Sequence, residues 1–241
     1  MGSPQQPEQR HLNWEGCYNV RDLGGLPTID GGQTRRWAVI RADLLGRLTA
    51  QGRQALLDYG ISTIIDLRGP KEVQEKPSAF TVAVDNLNIP TYLNLPLEKY
   101  YPGVSALISK ASSQTEVYCI ILDNYPDAVA TVMRAIINAR PGGVVIHCHA
   151  GNDRTGMVSA LLLSLVGVPP ETVATDYAAS QARLGSHFPN TVATPEMMLT
   201  MLAHVDIRYG GVRRYLEQAG LSVIEMEGLK SRLYAPKGEN G

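Results

Sequence analysis

The stretch Val144-Val145-Ile146-His147-Cys148-His149-Ala150-Gly151-Asn152-Asp153-Arg154-Thr155-Gly156 constrains this chain more than any other. Its β-branched start reads as a short buried strand. The strongly apolar run from Thr155 to Val166 reads as a helix stopped by Pro169 and Pro170. Only a tight glycine-containing turn lies between them. A buried strand feeding a buried helix is the building unit of a parallel sheet covered by helices.

The rest of the chain agrees with that architecture. Trp37 to Ile40 and Ile61 to Leu67 are short strand candidates, and Thr81 to Ile89 is a third. Between the first two, Thr49 to Tyr59 reads as a helix with Thr49 as N-cap and Gly60 just past its end. Ala128, Val129, Val132, Met133, Ile136 and Ile137 recur at helical spacing, and Pro141-Gly142-Gly143 ends that helix. Tyr92 to Ser113 carries mixed signals and two prolines, and reads as a loop or lid. Glu171 to Tyr234 reads as helical, broken at Gly210-Gly211 and Gly220. The expected fold is α/β, a central mostly parallel sheet flanked by helices, with a helical C-terminal region. Residues 1–12 are expected to be a disordered leader, 13–235 a single domain and 236–241 a tail.

Composition removes several function classes. Among the 241 residues, 22 basic against 23 acidic side chains give a net charge of −1, not the excess of a dedicated nucleic-acid binder. Cys17, Cys119 and Cys148 are too few for a disulfide framework and suit a reducing, cytoplasmic compartment. The polar N-terminus lacks the apolar core of a signal peptide, and no apolar run is long enough for a bilayer. Export by a non-classical route stays open.

Chemistry concentrates in the constraining stretch. Cys148 ends the strand, five residues turn, and Arg154 opens the helix. Such a turn can aim successive backbone N–H groups inward as an anion nest, and the helix N-terminus adds its dipole. Both effects favour a nucleophilic thiolate at Cys148. The Arg154 fork can grip two phosphate oxygens, Gly151 permits a tight backbone approach, and Thr155 can hydrogen-bond the sulfur. A bare Cys-x5-Arg arises by chance in roughly one such chain in five, but adding Gly and Ser/Thr at their places reduces that to roughly two in a thousand.

His-Cys-x-x-Gly-x-x-Arg-Thr-Gly, here His147 to Gly156, resembles the signature of the cysteine-dependent protein tyrosine phosphatase superfamily. More narrowly, the chain is similar to the bacterial tyrosine/dual-specificity branch that includes a mycobacterial tyrosine phosphatase and the Listeria lipid-and-protein phosphatase. Asn19-Val20-Arg21-Asp22-Leu23-Gly24-Gly25, Arg41-Ala42-Asp43 to Thr49, Ile64 to Arg68, and Tyr209 to Leu216 carry that likeness over roughly residues 13–235. The resemblance implies a tyrosine-phosphatase-like fold and hydrolysis of phosphomonoesters through a phosphocysteine. It implies Cys148 as nucleophile, Arg154 and the amides of His149, Ala150, Gly151, Asn152, Asp153 and Arg154 as the phosphate cradle, and Asp153 as an in-loop general acid. Thr155 would assist the thiolate as leaving group. No cofactor or metal is implied, and the partners are phosphorylated proteins or peptides, with phosphoinositides as an alternative substrate. The branch usually has lysine where this chain has Asn152, which weakens the case for polyanionic lipids and favours phosphotyrosine.

Blander readings compete at each position. Cys148 and Arg154 can be a buried thiol and a surface charge, and Asp153 a helix-start residue. The whole site can be a silent phospho-ligand module, and a cysteine loop under amides also serves sulfurtransferases. The His147, Cys148, His149 run lacks a second ligand pair for zinc. His147 is expected to orient the loop and His149 to lie at the pocket mouth. Asp66 and Arg68 fit the pocket rim or an internal ion pair. Arg21 and Asp22 are expected to be structural, and Cys119 to be core.

Overall fold

A computed structural model describes residues 10–80, 89–99 and 101–238. In chain order its first half holds β1 (Arg21–Asp22), β2 (Gln33–Thr34), β3 (Val39–Ala42), α1 (Ala50–Asp58), β4 (Ile61–Asp66), α2 (Pro70–Glu75) and β5 (Thr91–Asn94). Then come α3 (Pro102–Lys110), α4 (Gln114–Asn124), α5 (Pro126–Ile137), β6 (Gly143–His147) and α6 (Asp153–Leu165). The C-terminal part holds α7 (Pro170–Leu184), α8 (Pro195–Tyr209), α9 (Val212–Gln218), α10 (Val223–Leu233) and β7 (Tyr234–Ala235). Among the described residues, the main sheet runs β1-β3-β6-β4-β5, parallel except for the edge strand β1. The expected mostly parallel α/β sheet is therefore present.

Alternation along the strands builds two cores. Val144 and Ile146 of β6 join Val39 and Ile65 in a large cluster with α4, α5, α6 and the C-terminal helices. Val145 points the other way, with Ile40 and Ile64, into a smaller cluster around Trp14, Leu45 and Leu56. Helix α6, sandwiched between sheet and C-terminal helices, is apolar on nearly every side, as a fully covered helix must be. Thr49 caps α1 as expected, its hydroxyl accepting from Gly52 N at 3.1 Å, and Gly60 ends that helix at φ +82°.

Several expectations need correcting. The ordered chain reaches ahead of residue 13: Arg10 is buried on Asp176, and His11 bridges to Arg21. Trp37 precedes its strand in a left-handed turn, φ +59°, so β3 starts at Val39. The expected loop at 92–113 contains β5 and the regular helix α3, because Pro102 occupies the first helical turn, where no N–H is needed. Cys119 is half-buried on α4, not core. The C-terminal third is helical except for a non-helical stretch at 188–194, and it closes in β7, which pairs with β2. The strand expected at Thr81–Ile89 lies outside the described residues up to 88.

Register brings the carboxyl ends of the parallel strands level: Ala42 and Asp66 both pair with His147, and Asp66 also with Asn94. Ligands of parallel α/β sheets bind at that edge.

Candidate active site

Cys148 follows β6 directly and is 2% exposed. What shapes the loop after it is the fate of its carbonyls. Cys148 O contacts His147 Nδ1 at 3.2 Å, and His149 O accepts from Leu44 N at 3.1 Å. The Asn19 amide donates to both Ala150 O and Gly151 O at 3.1 Å, Arg41 Nη2 donates to Gly151 O at 2.7 Å, and Gly156 N donates to Asn152 O at 2.7 Å. In a trans peptide the next N–H points opposite the carbonyl, so anchoring carbonyls 148–152 turns the N–H groups of 149–153 the other way. That is the anion nest, held open from behind. Gly151 sits at φ +65°, and a Cβ there would come within 2.5 Å of Ala42 O.

The buttress is itself charged. Asp43 accepts the N–H groups of Tyr18 and Asn19 and pairs with Arg47, which fixes the Asn19 turn. Arg41 and Arg21 reach Asp176 of α7 at 3.0 and 3.1 Å, and Arg10 reaches it at 2.7 Å. Burial alone would raise the Asp176 carboxyl, but these three guanidiniums hold it well below the usual carboxylate range. Asp22 is structural, as expected, accepting Gly24 N, Trp37 N and the Tyr59 hydroxyl. Asp66 and Arg68 form an internal ion pair, fully buried, and Arg68 also donates to Lys76 O at 2.8 Å, tying down the end of α2. His147, buried beside Asp66 at 3.5 Å, is pushed down by desolvation.

At the mouth, Arg154 meets Glu72 of α2 fork to fork, Nη1 to Oε2 at 2.5 Å and Nη2 to Oε1 at 2.9 Å. Glu98 Oε1 stands 3.8 Å from Arg154 Nε. Burial disfavours the charged forms of Arg154 and Glu72, yet the pair wins: the arginine is raised and the glutamate lowered. A cysteine just past a buried strand, a turn whose backbone N–H groups face one way, and an arginine in the first turn of the following helix thus stand together. The tyrosine phosphatase family model matches residues 12–235.

The chain belongs to the tyrosine phosphatase family.

It is similar to a tyrosine-protein phosphatase of Nostoc commune, 29% identical over 219 residues, covering 81% of this chain and 74% of the relative. It is also similar to the triple specificity protein phosphatase PtpB of Mycobacterium tuberculosis, 27% identical over 250 residues and 88% of both chains. The chain is accordingly a phosphatase acting on phosphorylated substrates.

The remaining expected site residues fall in three places. His149 is half-buried at the mouth, edge-on to Phe188 at 5.6 Å. Asp153 opens α6, and its Oδ1 accepts from the Tyr118 hydroxyl and, at 3.4 Å each, from Gln114 and Asn152. Asn152, by contrast, is fully buried, its amide directed to the Tyr177 hydroxyl and Val192 O at 3.3 Å. The missing lysine therefore leaves no gap at the mouth, because the fold turns this side chain inward. Thr155 is buried too, and its hydroxyl has no partner among the described residues, so the expected bond to the sulfur is not made. Ala150 contributes only backbone.

Sequence reasoning missed Glu72, Glu98, Tyr118 and Tyr177, which surround Arg154 and Asp153 from other elements. Glu72 alone had a local signal, as the third residue of a helix that Pro70 opens.

Proposed function

We propose that this phosphatase hydrolyses phosphotyrosine in proteins or peptides, with Cys148 as nucleophile. The single supporting observation is the loop after Cys148, whose carbonyls from 148 to 152 are taken up behind it while the Arg154 fork stands at its mouth. The thiolate attacks phosphorus, the ester oxygen leaves, and water then cleaves the phosphocysteine. Arg154 and the N–H groups of His149 to Arg154 hold the equatorial oxygens, where the charge of the transition state sits. Asp153 is the loop's proton-transferring carboxylate, and the Thr155 hydroxyl is available to the sulfur when it leaves.

Two features favour a lone aryl phosphate over a polyphosphorylated lipid. Glu72 and Asp153 put two carboxylates beside Arg154, which repel further phosphates. Beside His149, an aromatic wall joins Tyr18 stacked on His187 at 3.6 Å and Arg47 over both Tyr18 and Phe188 at about 5 Å. The test is phosphate release from phosphotyrosine peptides, phosphoserine and phosphothreonine peptides, and phosphoinositides, using wild type and Cys148→Ser. Phosphotyrosine is expected to give the highest kcat/KM, with all activity lost in the serine variant, whose hydroxyl stays protonated. A preference for phosphoinositides would overturn the substrate assignment, and turnover by Cys148→Ser would overturn the nucleophile.

A further inference from the structure

The two oxygens of the Asp153 carboxyl are not equivalent. Oδ1 accepts from Tyr118, Gln114 and Asn152, while Oδ2 has no partner among the described residues. The nearest donor is the Tyr118 hydroxyl of α4, and behind it stands the Tyr177 hydroxyl of α7, oxygen to oxygen at 2.8 Å. The Asn152 amide reaches Tyr177 in turn at 3.3 Å. An ionised carboxylate only accepts, an amide nitrogen only donates, and each hydroxyl has one hydrogen. The chain therefore has one direction: Asn152 Nδ2 donates to Tyr177, Tyr177 to Tyr118, and Tyr118 to Asp153 Oδ1.

Three elements meet to build it. The Tyr177 ring lies over Gly156 of α6, where a Cβ would come within 2.8 Å of it, so the glycine that closes the signature is what lets this ring approach the loop. Tyr118 and Tyr177 are both buried, and the side chain of Asn152 is turned inward to them. Burial and the Asp153 charge push the Tyr118 hydroxyl far above the ordinary tyrosine range, and burial pushes Tyr177 up to about 12, so both stay donors at neutral pH. The other charged groups at this corner are Glu98, which feels the Asp153 charge, Arg154, 3.8 Å from Glu98, and Arg41, which acts on Tyr177.

We propose that Tyr118, backed by Tyr177 and Asn152, is the positioning residue of the loop acid: it holds Asp153 by Oδ1 so that the transferred proton is carried on Oδ2. This rests on the assignment of Cys148, Arg154 and Asp153 above. As the S–P bond forms and the P–O ester bond breaks, the electron pair goes to the ester oxygen, which takes the Oδ2 proton and departs as a phenol. In the second step water forms the new O–P bond, its proton passes to Oδ2, and the Cys148 thiolate leaves. Oδ1 accepts from Tyr118 in both protonation states, so the carboxyl keeps one orientation through the cycle. The bond is stronger to the ionised form, so Tyr118 also holds the acidity of Asp153 up.

The experiment compares Tyr118→Phe, Asp153→Asn and the double variant with wild type on aryl phosphates of graded leaving-group acidity, together with pH profiles of kcat/KM. Loss of a general acid matters most for poor leaving groups. Asp153→Asn is expected to lose about 100-fold or more on phosphotyrosine, and Tyr118→Phe about 10-fold, with under about 2-fold lost by Tyr118→Phe on a dinitrophenyl phosphate. In the Asp153→Asn background Tyr118→Phe should add under about 2-fold, because the group it positions is gone. The high-pH limb of the profile should move upward in Tyr118→Phe, since a carboxyl that has lost a donor keeps its proton longer. Unchanged competitive inhibition by inorganic phosphate reports an intact loop, and Tyr118→Phe/Tyr177→Phe, which leaves no hydroxyl stranded, should behave as Tyr118→Phe does. An equal loss across the series, an unmoved high-pH limb, or an undiminished loss in the Asp153→Asn background overturns the inference while leaving Cys148 chemistry intact. An Asp153→Asn variant with no leaving-group dependence, or wild type inactive on every aryl phosphate, would instead remove the reading beneath it and the inference with it.

Discussion

In the proposed mechanism Arg154 has two bidentate jobs at once, one edge on Glu72 and the other on phosphate. Lysine keeps the charge but offers no planar fork, so Arg154→Lys should lower kcat/KM by about 100-fold or more. Near-normal kinetics would show that the loop does not clamp phosphate. Gly151 gives a second expectation at this scale. Its φ of +65° and the 2.5 Å approach to Ala42 O mean that Gly151→Ala must push the loop off β3. Weaker competitive inhibition by phosphate and a lower unfolding midpoint should appear together. Both residues were legible in the sequence, because the loop's chemistry is local and its spacing is fixed by one turn. Asn152 and Thr155 were legible as members of that turn, but not in direction. Spacing along a chain does not tell which loop side chains face the ligand, and here Tyr177 and Val192, far along the chain, claim the Asn152 amide.

Among elements, the decisive join is between α7 and the strands beneath the loop. Asp176 supplies the carboxylate for Arg10, Arg21 and Arg41, all buried, and Arg41 in turn holds Gly151 O. Removing the charge strands three buried guanidiniums. Asp176→Asn is expected to cost about 3–5 kcal/mol in urea unfolding, with lost activity following lost stability. A change below about 1 kcal/mol would mean that the cluster is not the strut described here. None of this was visible beforehand, since Arg21 and Asp176 are 155 residues apart and nothing in either segment points to the other. By contrast α1, α5 and α6 were readable from caps and periodicity. Helix α4 was not, because its apolar residues bunch in Val117 and Ile120–Leu122; its one clear signal, Ser113 three residues before Glu116, is an N-cap hydrogen bond in the structure.

Over the whole molecule, the parallel sheet followed from one strand-turn-helix unit, while the β2–β7 pairing, joining residues 33–34 to 234–235, required the closed fold to exist. The same closure buries histidines, and this sets a pH dependence of stability. His147 is fully buried, and His11 and His149 are partly buried; desolvation lowers all three, with Arg183 adding to it at His11 and Lys76 and Arg47 at His149. At His147 the nearby Asp66 opposes the shift without reversing it. In the unfolded chain these rings titrate near 6.5. Below that pH the unfolded state binds protons that the folded state refuses, so stability is full above about pH 6.5 and falls as the solution is acidified, by up to about 1.4 kcal/mol per pH unit for each unmatched proton. The buried carboxylates Asp66 and Asp176 are held below their usual range despite desolvation, so their contribution starts to be lost only under about pH 4. The two windows are separable. Urea unfolding at pH 7.5, 6.0 and 5.0 should give a declining free energy at constant m-value, and His147→Gln, which cannot take a proton, should flatten that decline. A wild-type curve level from pH 7.5 to 5.0, or one that His147→Gln leaves unchanged in slope, would remove the buried ring as its cause.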